Sequence, residues 1–202
     1  MLRLGQAPSC PNIIELHHWI EDESSFNLIM EKPDPCQNLR HYIIYSDDIN
    51  EAKARWMIRQ LVQAVKHCVD RGVFHGDIHS GNILVVADES LKLKLIDFGH
   101  GRLISSEGFN SSEYQGADLY TPPEVLRDTV FYAEPAYVWA VGVVLFEILH
   151  RHLPFKTLNG ILRDYLDTSL TLSSGKHNRH LCTISHRQQH RVGPDPAHIW
   201  TV

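Results

Sequence analysis

HGDIHSGNILVV, from His75 to Val86, is the stretch on which the reading of this chain turns. An acid, Asp77, is followed five residues later by an amide, Asn82, and then by a short apolar run. That run predicts a strand from Ile83 to Val86. A second strand is expected from Leu91 to Ile96, where Leu91, Leu93 and Leu95 alternate with Lys92 and Lys94. Two strands around ADES return the chain. Asp97 of IDFG, twenty residues after Asp77, is therefore expected at the same cleft as Asp77.

Two carboxylates and an amide at one cleft suit the transfer of a terminal phosphoryl group. Such a reaction needs metal to neutralise charge and a carboxylate to orient the attacking hydroxyl and take its proton. Asp77 is the candidate base. Asn82 offers a neutral oxygen, and Asp97 a charged one, to Mg²⁺, which takes few protein ligands beside phosphate and water. Taken alone, HxDxxxxN also fits a turn aspartate and a capping asparagine. The DFG triplet at the expected distance after a strand pair favours the catalytic reading.

The 202 residues suit one domain or one and a fraction, and 43% hydrophobic content supplies a sizeable core. A net charge of −5 points away from nucleic acid and anionic membranes. MLRLGQAPSC has no apolar run of the signal-peptide kind. The apolar stretch Val138 to Leu149, which contains Glu147, predicts a buried helix rather than a bilayer span. Cys10, Cys36, Cys68 and Cys182 form no CxxC pair and read as free thiols of a reducing compartment. Seven of the 14 histidines lie from His150 onward, without the spacing of a zinc site.

Strands are expected at Ile13 to Trp19 and Phe26 to Glu31 around the acidic turn EDESS. EKPDPCQN, with two prolines in three residues, predicts a rigid connector with neither helix nor ladder. Asn50 to Asp70 reads as a helix, with Met57, Leu61, Val65 and Cys68 on one face and Gly72 after its end. Asp97 to Tyr120 is Gly/Ser-rich and irregular. Two helices follow, one opening at Pro122-Pro123-Glu124 and one apolar on nearly all sides around Trp139 to Leu149. Beyond Asp167 the periodicity stops, and a disordered tail is expected.

The segment from Asn12 to Arg163 resembles a eukaryotic protein kinase, in particular the Pim serine/threonine kinases. The resemblance is carried by five stretches in order. PNIIELHHWIEDESSFNLIMEKPDP looks like the last two N-lobe strands and a hinge with a proline. VFHGDIHSGNILV looks like the catalytic loop and LKLKLIDFGHGRL like the DFG segment. YTPPEV is similar to the APE motif, and AYVWAVGVVLFEILHRHLPF to the buried C-lobe helix and the turn after it. Phosphotransferases of the aminoglycoside type share HGDxHxGN but lack the last two stretches.

The resemblance implies an α+β protein-kinase-like fold, a mostly α-helical C-lobe with a remnant of the N-lobe β-sheet. It divides the chain into a partial N-lobe (1–31), a hinge and C-lobe (32–167) and a divergent tail (168–202). It makes Asp77 the catalytic base and Asn82 and Asp97 the metal ligands. Glu31 would offer its carbonyl to adenine, with Pro33 removing a second hinge hydrogen bond and Leu84 and Ile96 forming the apolar floor. For Leu84 and Ile96 a plain core role fits as well. The implied cofactors are ATP and Mg²⁺. The implied partner is a protein Ser/Thr substrate, bound by a cytoplasmic or nuclear monomer with no nucleic acid and no membrane.

The sequence also departs from the pattern. No Gly-rich loop or strand lysine precedes Asn12. Gly76 stands for an arginine, His79 for a lysine, and Ala117 for a threonine that bonds the catalytic Asp. Glu124 lacks an identifiable arginine partner. Asn38, His41 and Gly81 replace the acids that select basic peptides. An inactive pseudokinase-like binding module or a truncated gene product is the alternative reading.

Overall fold

The computed structural model describes residues 1–86 and 90–163. The expected tail at 168–202 lies outside the described residues. Strands β1 (Leu16–Glu21) and β2 (Phe26–Met30) form an antiparallel hairpin. The expected strand from Ile13 is split. Asn12 to Ile14 leaves the hairpin and bonds elsewhere, with Leu95 N–H donating to the Asn12 carbonyl at 2.8 Å and Ile14 N–H to the Leu95 carbonyl at 2.9 Å. The Asn12 side chain donates to Gln60 Oε1 and to the Leu93 carbonyl, both at 2.9 Å, which fixes this segment against a helix as well as a strand. Leu4 and Ile13 belong to the same buried cluster as the C-lobe helices. The described hairpin residues contribute none to that cluster.

The connector does end in a ladder, contrary to expectation. Its prolines are Pro33 and Pro35, and β3 (Cys36–Asn38) begins one residue past the second, where every residue again has an N–H to donate. Asn38 then caps α1 (Leu39–Tyr45), a helix the periodicity did not reveal, by accepting the His41 amide at 2.8 Å. Seven residues are too few for a readable period, and only Leu39, Tyr42 and Ile43 are buried.

Helix α2 (Glu51–Asp70) matches expectation. Asn50 accepts the Lys53 amide at 2.9 Å, Glu51 sits in the first turn, and Gly72 follows in a left-handed conformation, φ 65°. Its buried face, with Met57, Leu61, Val65 and Cys68, packs on the apolar helix Ala133–His150. Burial of each large side chain contributes about 1.5–3 kcal/mol.

Strand β4 (Val73–Phe74) leads into the HGD loop. Strands β5 (Ile83–Val86) and β6 (Leu93–Leu95) form the expected pair, and the sheet order is β3-β5-β6. Strand β6 is shorter than predicted because Leu91 takes φ 46°, a turn conformation. It is also buried on both faces, so Lys94 is not the outward residue that the alternation suggested.

The irregular segment holds two-residue strands. β7 (Arg102–Leu103) pairs with β4, and β8 (Phe109–Asn110) pairs with β9 (Val130–Phe131) beyond helix α3 (Pro123–Arg127). Helix α4 (Ala133–His150) is the apolar helix, and α5 (Leu158–Leu162) closes the described chain. By length and composition α4 could cross a bilayer, but 56% of its apolar window is buried inside the protein. Its one buried acid, Glu147, accepts the Tyr120 hydroxyl.

Candidate active site

The loop is hung from buried bonds on both sides. The His75 amide donates to the Tyr137 hydroxyl at 2.7 Å, and that hydroxyl donates to the Val73 carbonyl at 3.0 Å. His75 Nδ1 accepts the Asp77 amide at 3.2 Å, so the ring proton sits on Nε2, which donates to the Ile96 carbonyl at 2.9 Å. Burial pushes the imidazole down to about 4, consistent with a neutral ring. One histidine thus ties the residue before Asp97 to Asp77. Its ring also meets that of Phe98, with centroids 4.5 Å apart.

Gly76 is required here by backbone geometry. It takes φ 82°, and a Cβ at this position would lie 2.7 Å from the His100 carbonyl. Arginine at this point in this loop would be strained as well as crowded. Beside it lies a cavity of about 110 Å³, bordered by Arg102, Glu113 and Tyr114. Arg102 spans the segment, donating to the Glu113 carboxylate at 2.9 Å and the Glu113 carbonyl at 2.8 Å.

Three groups fix the Asp77 carboxylate. The Ala117 amide donates to Oδ1 at 2.8 Å, and Asn82 Nδ2 donates to Oδ2 at 3.1 Å and to the Asp77 carbonyl at 3.0 Å. His79 Nε2 lies 3.5 Å from Oδ2. Burial works against the charged form. The His79 and Ala117 contacts outweigh it and hold the carboxyl below its ordinary range. Loss of the threonine hydroxyl at position 117 is thus covered by that residue's own backbone.

Both Asn82 side-chain bonds leave through Nδ2, so Oδ1 could face a metal ion. The Ile96 amide donates to the Asn82 carbonyl at 2.9 Å, setting Asp97 beside it. Asp97 is exposed, in a left-handed conformation with φ 61°, and its Oδ1 accepts the Gly99 amide at 3.1 Å. One amide oxygen and one carboxylate form a hard donor set that fits Mg²⁺ when phosphate and water complete the shell. Among the described residues no group of three or more His, Cys, Asp or Glu could hold a metal by itself.

Glu31, the residue after β2, is tied on two sides. Its carboxylate accepts Lys94 Nζ at 2.5 Å and the Glu15 amide at 2.7 Å, and its amide donates to the Glu15 carbonyl at 2.9 Å. Burial opposes the charge, but Lys94 and the Glu15 amide prevail, and the carboxyl is held below its usual range. Lys94 is also the register partner of Leu84, so β6 links Glu31 to β5. Leu84, Ile96 and Pro33 are half-buried. Sequence reasoning missed Lys94. Two lysines alternate in LKLKL, and nothing local says which one turns inward.

The protein kinase domain family matches residues 2–188. The chain is 31% identical over 160 residues to serine/threonine-protein kinase pim-2 of Danio rerio, covering 79% of this chain and 51% of that protein. It is 31% identical over 163 residues to serine/threonine-protein kinase prk-2 of Caenorhabditis elegans, covering 81% and 36%. It is 38% identical over 147 residues to the hormonally up-regulated neu tumor-associated kinase of Mus musculus, covering 72% and 20%. The chain spans about half or less of the length of these relatives. With a match over nearly all of its residues, and with Asp77, Asn82 and the Asp97 segment joined in one bonded loop, the chain belongs to the protein kinase domain family.

Proposed function

We propose that this chain carries the acceptor and metal side of a serine/threonine protein kinase, moving the ATP γ-phosphate to a protein hydroxyl. The carrying observation is the bond from Asn82 Nδ2 to Asp77 Oδ2, which holds the base and leaves the amide oxygen free beside Asp97. Asp77, held as an anion, orients the substrate hydroxyl and accepts its proton. Asn82 Oδ1 and Asp97 would hold Mg²⁺, which would supply neutralisation of the phosphate charge. The Glu31 carbonyl, Leu84 and Ile96 receive the adenine, and Pro33 offers no N–H beside it.

The partner in this reading is a protein Ser/Thr, met by a monomer in the cytoplasm or nucleus, apart from nucleic acid and membranes. The net charge and the scattered cysteines support it. Asn38 is spent as a helix cap, and His41 pairs with Gln37 at 2.5 Å, so neither offers a carboxylate to a basic peptide.

These 202 residues contain no Gly-rich loop or strand lysine ahead of Asn12. The second reading is a catalytically inactive pseudokinase-like binding module. Peptide phosphorylation with an Asp77→Asn control decides between them. The chain alone is expected to turn over far below the roughly 1 s⁻¹ of active kinases. Thermal stabilisation by ATP should require Mg²⁺ and stay under about 3 kcal/mol. An equal shift without Mg²⁺ removes the metal roles of Asn82 and Asp97.

A further inference from the structure

His79 folds back over its own turn. Its Nδ1 accepts the Gly81 amide at 3.0 Å. A ring nitrogen that accepts carries no proton, so the neutral ring bears its proton on Nε2. That atom lies 3.5 Å from Asp77 Oδ2, at the outer edge of hydrogen-bond range. Catalytic contacts are often this long before substrate binds. Tyr120 walls the ring, with centroids 5.7 Å apart, and its own hydroxyl is tied to Ser80 and Glu147.

Gly81 completes the arrangement. A Cβ there would fall 2.7 Å from His79 Cε1 and 2.9 Å from Nδ1. The ring occupies the space that a side chain at 81 needs. The two departures from the kinase pattern, histidine at 79 and glycine at 81, are thus one unit. A lysine has no acceptor and could not take the Gly81 amide.

We propose that His79 is a positioning residue that holds the Asp77 carboxylate from its Oδ2 side, with its donor nitrogen selected by the Gly81 amide. The inference rests on the reading of Asp77 as the acceptor base. Ala117 N–H fixes Oδ1 and His79 opposes it, so the carboxylate cannot rotate when a hydroxyl arrives. Position 79 then serves the base instead of lending a fixed cation to phosphate.

The test is imidazole and carboxyl NMR on the full chain in alkaline buffer. His79 should show a single Nε2–H tautomer. The Nδ1–H tautomer, or an average of both, overturns the proposal. His79→Phe keeps the bulk without the donor and should move the Asp77 carboxyl carbon, assigned with Asp77→Asn. His79→Gln restores a donor and should return the resonance toward wild type. An unmoved resonance in His79→Phe means that the ring merely caps the turn, and the proposal fails. Gly81→Ala should lower the Tm in the wild-type background and hardly at all in His79→Ala; equal losses dissolve the unit. Nucleotide binding is read separately. A chain with these signatures whose stabilisation by ATP is the same with and without Mg²⁺ loses the metal roles of Asn82 and Asp97, and the kinase reading with them, while the positioning role stands.

Discussion

The β1–β2 hairpin and the loop from Val73 to Asn82 are both built around short strands, yet they are held in opposite ways. The hairpin exposes Phe26 (67%), Leu28 (50%) and Ile29 (47%), and its order rests on its own ladder. The loop buries His75 completely and reaches α4, the Ile96 backbone and the Ala117 amide through bonds that span 21 to 64 residues. A two-stranded ribbon is marginal in isolation, whereas a loop cross-tied to the core shares the core's stability. The candidate site is therefore held by the C-lobe packing, and the hairpin meets that packing at its end, where Glu31 bonds Lys94.

The largest expected effect comes from removing core packing. Met57 is fully buried, and Met57→Ala should cost about 2–5 kcal/mol in chemical denaturation. Phe26→Ala in the hairpin should stay within about 0.5 kcal/mol. Equal losses would break the contrast between the regions.

Acid should act through the loop. The folded His75 imidazole is pushed down to about 4, so the folded state binds fewer protons than the unfolded one. Its contribution is complete above the ordinary imidazole value of about 6.5 and is lost as pH falls from there toward 4, by roughly 3 kcal/mol. A stability profile measured between these limits should decline toward acid, and His75→Gln should flatten it. A flat wild-type profile contradicts the buried neutral ring.

Tyr137→Phe should cost about 2 kcal/mol, because the His75 amide and the Val73 carbonyl would lose a buried partner together. Tyr45→Phe, at an exposed position, is the control and should change nothing measurable. Similar losses for both would mean that the hydroxyl is not holding the loop.

The smallest effect has the opposite sign. Among the described residues Glu124 Oε1 is buried without a hydrogen-bond partner, and burial pushes its carboxyl up. The folded state then holds the proton to higher pH, so ionisation costs stability as pH rises past the ordinary glutamate value. Glu124→Gln should raise stability at neutral pH by under about 1 kcal/mol. A loss of stability there would reveal a cation partner for this carboxylate.

The sequence by itself determined the parts that depend on spacing. Asp77, Asn82 and Asp97 could be assigned to one cleft because a strand pair of that length must return the chain. Helices α2 and α4 were readable because twenty and eighteen residues give a period room to repeat. Short elements were not: α1 has seven residues, and β4, β7, β8 and β9 have two each. Only the tertiary structure decided which polar groups found each other. Alternation in LKLKL places Lys94 on a face but cannot say that a carboxylate 63 residues earlier waits there. Ala117 has no side-chain donor, and its backbone N–H reached Asp77 because the intervening segment folds back over the loop. Periodicity reports the direction of a side chain relative to its neighbours in sequence. Partnership between distant polar groups is set by where the packed core brings their backbones, and no local pattern encodes that.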